Sequence, residues 1–282
     1  MNIRIALPVS LIAASLALTS CTSGTDGTTP EPSAGATDTS AATDTSLADI
    51  VEAGVLVVGT EGTYRPFSYH VDGSGDLTGY DVEVARAVAE ELGVEIRFEE
   101  TQWDAIFAGL EAGRFDVIAN QVSITPEREE SYTFSEPYTY STGVIVVSDD
   151  TTDIASFADL EGKTTAQSLT SNWHTLAQES GANIEAVEGW AQAVALVEQG
   201  RVGATINDNL TFLDYQKQTG AAGLVIAAET DDFSRSAFVF ASGSDSLAQA
   251  VNDALAKLAA DGTLAEISAE FFGKDVSVAP GQ

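Results

Sequence analysis

Asn120-Gln121-Val122-Ser123-Ile124-Thr125-Pro126-Glu127-Arg128 places a cation in a chain that has few. There are 12 Lys plus Arg against 43 Asp plus Glu, for a formal charge of −31. Thr125 followed by Pro126 reads as an N-cap and first helical residue. Arg128 then falls at the third helical position, where a capping box would carry Glu or Gln. A cation beside the positive end of a helix dipole costs about 0.3–1 kcal/mol. An arginine fork offered there, next to Gln121 and Ser123, suits a planar anion such as a carboxylate. A surface arginine paired with Glu129 or Glu130 fits the position equally well.

The elements that must position this stretch alternate short β-rich runs with helix-period segments, which predicts an α/β protein with mostly parallel sheets. Val55 to Gly59 is a strand. Asp81 is expected to cap a helix carrying Val82, Ala85, Ala89 and Leu92, stopped by Gly93. After a strand from Val94 to Phe98, Trp103, Ile106, Phe107 and Leu110 share one helical face. Asp116 to Ala119 is the next strand, and its carboxyl end delivers the Asn120–Arg128 loop, where open α/β sheets hold ligands. The alternation restarts after Ser141: strands at 143–148, 163–167, 184–187, 203–206, 224–227 and 237–241, with helices bearing Trp173, running from Trp190 to Val197 and opening at Asp208. Two helices finish the chain. Two α/β halves imply a cleft between them.

The ends of the chain say where it works. Residues 1–21 read as a leader, with Arg4 ahead of an apolar run from Ile5 to Leu18 that is short for a membrane span. It ends in Leu18-Thr19-Ser20-Cys21, which resembles a lipobox, so Cys21 is the expected lipidation site and mature N-terminus. Residues 22–46 are Thr, Ser, Ala, Gly, Pro and Asp with a single Glu and no large apolar side chain, a composition that stays disordered and serves as a tether. The product would be anchored to the outer face of the cell membrane by lipid alone, as in Gram-positive lipoproteins. Cys21 is the only cysteine, so no internal disulfide and no thiolate metal site can form. His70 and His174 lack ligand spacing. Losing Arg4 with the leader leaves the remainder one charge more acidic, which excludes nucleic acid and anionic lipid surfaces as partners and favours neutral or zwitterionic ligands.

Gly62-Thr63-Tyr64-Arg65-Pro66-Phe67, then Gly79-Tyr80-Asp81-Val82-Glu83-Val84-Ala85, resembles the opening of the polar-amino-acid family of extracellular solute-binding proteins. Trp103-Asp104, Gly113-Arg114-Phe115-Asp116, Ser123-Ile124-Thr125-Pro126-Glu127-Arg128 and Phe134-Ser135-Glu136-Pro137-Tyr138 continue the pattern. Asp159-Leu160-Glu161-Gly162-Lys163, Asp261-Gly262-Thr263-Leu264 and Phe271-Phe272-Gly273 complete it. The resemblance spans Leu47 to Lys274, and the motifs are specific as an ordered set. It implies a two-lobed periplasmic-binding-protein-like fold of type II, with residues 47–141 and 237–282 in lobe one, 142–236 in lobe two, and a hinge of two crossings. It also implies a monomeric receptor subunit serving an ABC permease and ATPase, with an amino acid as ligand and no cofactor. Thr101-Gln102-Trp103-Asp104 and Asn120-Gln121-Val122-Ser123 look most like the cystine- and cysteine-binding branch. Ser168-Leu169-Thr170-Ser171 departs from it where a glycine is common, and Gly203 departs where many relatives have Asp.

The same resemblance assigns roles. Arg128 and Ser123, with the helix N-terminal amides around Ser171 and Asn172, would hold the ligand carboxylate. Asp208 would take the ammonium, although from the residues alone it is as well explained as a helix N-cap. Tyr64 and Trp103 would form apolar walls, although from the residues alone Trp103, on the apolar stripe of its helix, reads as core. Gln121 would meet the ligand's polar end, and Asn120 would hold the loop. Tyr80, Trp173 and Trp190 are expected to pack. Cystine is the first expectation, with glutamine, glutamate and cysteine as alternatives, and a sensor role shares the same site. No nucleophile elbow, phosphate loop or metal cluster is present. Glu61 and His174 are the only acid–base candidates near the cleft, and neither sits in a catalytic pattern, so the expected role is binding and not enzymatic; a dehydratase-like enzyme is the other-class alternative.

Overall fold

The computed structural model describes residues 43–220 and 223–281. The leader, Cys21 and nearly all of the tether lie outside the described residues. The chain is tied down from Asp44, whose carboxylate accepts hydrogen bonds from Ser46 N at 2.9 Å and from Ser246 N. The first helix, α1 (Ser46–Ala53), therefore begins inside the segment expected to be tether. Among the described residues no helix is long and apolar enough to cross a membrane.

Lobe one opens with β1 (Val55–Thr60), a three-strand ribbon β2 (Thr63–Tyr64), β3 (Ser68–His70) and β4 (Leu77–Thr78), then α2 (Tyr80–Leu92) and β5 (Glu95–Glu100). There follow α3 (Trp103–Glu111), β6 (Val117–Ser123), α4 (Pro126–Glu129), β7 (Tyr132–Phe134) and β8 (Thr139–Ser141). Lobe two runs β9 (Gly143–Ser148), β10 (Thr164–Gln167), α5 (Asn172–Glu179), β11 (Asn183–Ala186), α6 (Trp190–Glu198), β12 (Ala204–Asp208), α7 (Asn209–Thr219) and β13 (Leu224–Glu229). The chain returns in β14 (Ser234–Ala241) and ends in α8 (Asp245–Asp261) and α9 (Thr263–Phe272), which pack on α2.

The first sheet has the order β5-β1-β6-β14-β7, with β8 also on β14; the second has β11-β10-β12-β9-β13. Alternate residues feed opposite faces. Leu56 and Val58 join the core under α2 and α8, while Val57 joins the one under α3. Val144 and Val146 likewise face α6, and Ile145 and Val147 face the α5 side. Both faces of each sheet are thus covered, which is why the strands read as continuous apolar runs.

The sheets are mixed and not mostly parallel. β1 pairs parallel with β5 and β6, and β10 with β11 and β12, but β9 and β14, the strands next to the two crossings, pair antiparallel. Two further local expectations change. Asp81 is not the cap of α2: the helix starts at Tyr80 behind Gly79, whose φ of 133° and proximity to the Phe67 carbonyl leave no room for a side chain. And β6 does not stop at Ala119. It continues to Ser123 because Val122 and Ser123 pair with Ala237 and Ser236 of β14. Val239 then pairs with Ile118, so Ala119, Asn120 and Gln121 together stand opposite Phe238 alone. That bulge bends the strand where the lobes face each other.

Candidate functional site

A cavity of about 450 Å³ lies between the lobes. Lobe one supplies Glu61 from the β1–β2 connection, Tyr64 from β2, Trp103 from the first turn of α3, and Asn120 and Gln121 from the bulge of β6. Lobe two supplies Ser168, Ser171 and Asn172 ahead of and at the start of α5, Glu188 to Gln192 at the start of α6, and Asn207 at the end of β12. These are the carboxyl ends of parallel strands and the amino ends of helices, where side chains and free N–H groups converge.

The aromatic wall is built in lobe one. Trp103 is 8% exposed and meets Phe107 edge-on, ring centroids 5.7 Å apart. Tyr64 spans the cleft: its hydroxyl donates to Asn207 Oδ1 at 2.9 Å and accepts from Thr211 Oγ1 at 3.0 Å. Gln121 has φ +50°, a left-handed conformation that side chains seldom adopt. Its backbone N–H and its amide Nε2 both donate to the buried carboxylate of Asp81, each at 2.6 Å.

Glu61 and Asp208 have no cationic partner among the described ion pairs. Glu61 lines the cavity, and its carboxylate accepts from Asn120 Nδ2 at 2.6 Å. Burial raises its carboxyl to about 7. Asp208 is buried behind the cavity wall, where Ser141 Oγ donates to it and Leu210 N donates at 2.9 Å, closing the N-cap of α7. Burial raises it to about 6.

Of the residues singled out from sequence, Tyr64, Trp103, Gln121, Ser171 and Asn172 line the cavity together. Ser123, Arg128 and Asp208 are not among the lining residues. Ser123 Oγ shares a hydrogen bond with Ser234 Oγ at 3.0 Å. Thr125 does cap α4, and Pro126 is its first residue. The Arg128 guanidinium lies 5.6 Å from the Trp103 ring and 5.3 Å from that of Phe107. It donates to two carbonyls, Ser123 O at 2.9 Å in its own lobe and Thr170 O at 3.1 Å in the other. Burial lowers its pKa to about 10.

Trp173 and Trp190, expected to pack, also border the cavity, with Glu188, Gln192 and Asn207. Both tryptophans sit in the first turn of a helix that follows a parallel strand, and that placement was the available signal. Tyr80 does pack: it is fully buried and donates to Tyr138 O at 2.7 Å. Among the described residues no group of three His, Cys, Asp or Glu could hold a metal ion.

Comparison with known proteins fits this geometry. The L-cystine-binding protein TcyA of Bacillus subtilis is 52% identical over 230 residues, 82% of this chain and 85% of that protein. The L-cystine solute receptor of Neisseria gonorrhoeae, solved unliganded and open, is 48% identical over 83% of this chain and 99% of its own, with a TM-score of 0.56. An ancestral arginine-binding protein bound to arginine is 33% identical over 78% and 99%, with a TM-score of 0.73. Residues 56–274, nearly the whole of the two-lobed body, match the bacterial extracellular solute-binding proteins of family 3, and the chain belongs to that family.

Proposed function

We propose that this chain is the extracellular receptor subunit of an ABC importer for a polar amino acid, cystine first, held between the lobes and enclosed by hinge closure. The observation that carries this is the lining of the cavity. An unpaired carboxylate (Glu61) and aromatic rings (Tyr64, Trp103) come from one lobe, and the amino ends of α5 and α6 from the other. A zwitterion needs both, so it joins the halves. The volume lies within the range of small-molecule sites and leaves room for a ligand with two amino-acid heads.

In this reading Ser171 and Asn172 present the start of α5 to the carboxylate. Arg128 reaches the same group by exchanging the Thr170 carbonyl for the ligand, with Ser123 beside it. Glu61, with Asp208 behind the wall, supplies the negative field for an ammonium. Residues 47–141 and 237–282 form the first moving body and 142–236 the second. Closure is supported by resemblance: an arginine-bound relative matches the shape better than an open one of higher identity. Lipidation at Cys21 would leave a monomer on the outer membrane face, next to its permease.

The test is a thermal-shift screen of residues 22–282 against the amino acids and cystine, followed by titration calorimetry of any ligand that stabilises. Cystine should raise the melting temperature most. If no amino acid shifts it, the proposal fails.

A further inference from the structure

Gln121 is held more tightly, and at greater cost, than packing explains. It occupies the left-handed region in the middle of a buried strand, inside a bulge, and is 7% exposed. Its backbone N–H and Nε2 both go to Asp81, at 2.6 Å each, and Nε2 also donates to Thr139 Oγ1 at 3.0 Å. Asp81 is itself completely buried and has no cation beside it among the described ion pairs. Both amide hydrogens are therefore spent on the protein, and with Asp81 ionised the orientation is fixed, because the reverse would set Oε1 against a carboxylate oxygen. Oε1 is left buried with no partner. Of the buried polar atoms without a partner, those on cavity-lining residues are Gln121 Oε1, an acceptor, and Trp103 Nε1, a donor. Orphaned groups of this kind are rare in folded proteins and ask for an external partner.

We propose that Asp81 is a positioning residue that turns Gln121 so that its amide oxygen accepts a hydrogen bond from the ligand's ammonium group. This deepens the amino-acid-binding proposal and rests on it. The bulge brings Gln121 to the cavity wall, and the Asp81 carboxylate fixes which end of the amide is left unbonded. Selection for an amino group is then built into a strand and a helix of lobe one, independent of how far the lobes close.

The experiment compares cystine with 3,3′-dithiodipropionate, which is cystine without its two ammonium groups. Calorimetric titrations, or displacement of radiolabelled cystine where affinity is low, are run on the wild type, Gln121→Met and Asp81→Asn. The wild type should prefer cystine. Both substitutions should narrow that preference by about 10- to 100-fold, the worth of one hydrogen bond to a charged group, with dithiodipropionate affinity nearly unchanged. Equal weakening of both ligands would mean that Asp81 and Gln121 only hold the fold, and an unchanged preference would mean that the amide oxygen never meets the ammonium; either overturns the inference. If Asp81→Asn does not fold, Thr139→Val, which frees one amide hydrogen, takes its place and should narrow the preference to a smaller degree. A wild type that binds no amino acid would instead sink the proposed function. A wild type that binds cystine while Gln121→Met keeps its preference sinks only this inference.

Discussion

Asp104→Ala should open the cleft without touching the cavity. Asp104 is exposed and not a lining residue, yet its Oδ1 accepts from Thr170 N at 3.0 Å and from Thr170 Oγ1 at 2.7 Å, both across the lobes. Arg128 holds the carbonyl of the same residue. Two charge-assisted hydrogen bonds at a solvent-exposed site contribute about 1–2 kcal/mol together, after discounting for screening. That corresponds to a shift of about 5- to 30-fold in the closed-to-open ratio. If the ligand-free protein is mostly open, the whole loss appears as weaker ligand affinity. If it is mostly closed, part of the loss goes into opening the free protein, and its radius of gyration in solution scattering rises instead. Scattering of the ligand-free variant and calorimetry with cystine must therefore be read together. A variant that matches the wild type in both would refute the view that Thr170 is a closing contact, and the Arg128–Thr170 bond would lose its meaning as well.

Ligand-free stability should fall as pH rises from about 4.5 to 7. Burial raises Asp81 and Glu61 to about 7 and Asp208 to about 6, from ordinary values of 3.8, 4.5 and 3.8. Within that window the folded chain keeps protons that the unfolded chain has released, so each group removes up to about 1.4 kcal/mol per pH unit, and the loss ends above its folded pKa. Urea unfolding at pH 5, 6, 7 and 8 in moderate salt, which screens the chain's self-repulsion, would show the slope; Asp81→Asn should flatten it, and a level wild-type profile contradicts the picture. Separately, Gly59→Ala should destabilise by about 1–3 kcal/mol through overpacking. A Cβ at Gly59 would come within 2.5 Å of the Phe115 ring, which is also wedged against Gly109. An unchanged urea midpoint would show that the ring moves aside at no cost.

Periodicity carried most of the fold, because apolar spacing and burial are the same physical fact seen twice. The faces of α2 and α3, the buried runs of β1 and β9, and the alternation that implies two lobes were all legible. What escaped depends on partners distant in sequence. β6 looked finished at Ala119 because the residues after it are polar, yet β14, more than a hundred positions later, pairs with Val122 and Ser123. Mixed sheets escaped for the same reason: strand direction at a crossing depends on which sheet the chain enters, and local pattern does not record it.

The site shows the same division more sharply. The family resemblance grouped Tyr64, Trp103, Gln121, Ser171 and Asn172, and the fold gathers them. For Asp208 and Arg128 the residue types implied a chemistry without a direction, since a carboxylate at an N-cap and a guanidinium near carbonyls each have local partners that compete with a ligand. Asp208 answers to Leu210 and Ser141, and Arg128 to Ser123 and Thr170. Asp81 is the reverse case. Its place at a helix start suggested a cap, but Gly79 has that position, and the carboxylate instead meets an amide forty residues on. A local hydrogen bond can satisfy a polar residue anywhere, so it says little about function. A buried acid whose partners are the two nitrogens of one strained glutamine is spending stability to hold a shape, and in the proposed site that shape is what a ligand would read.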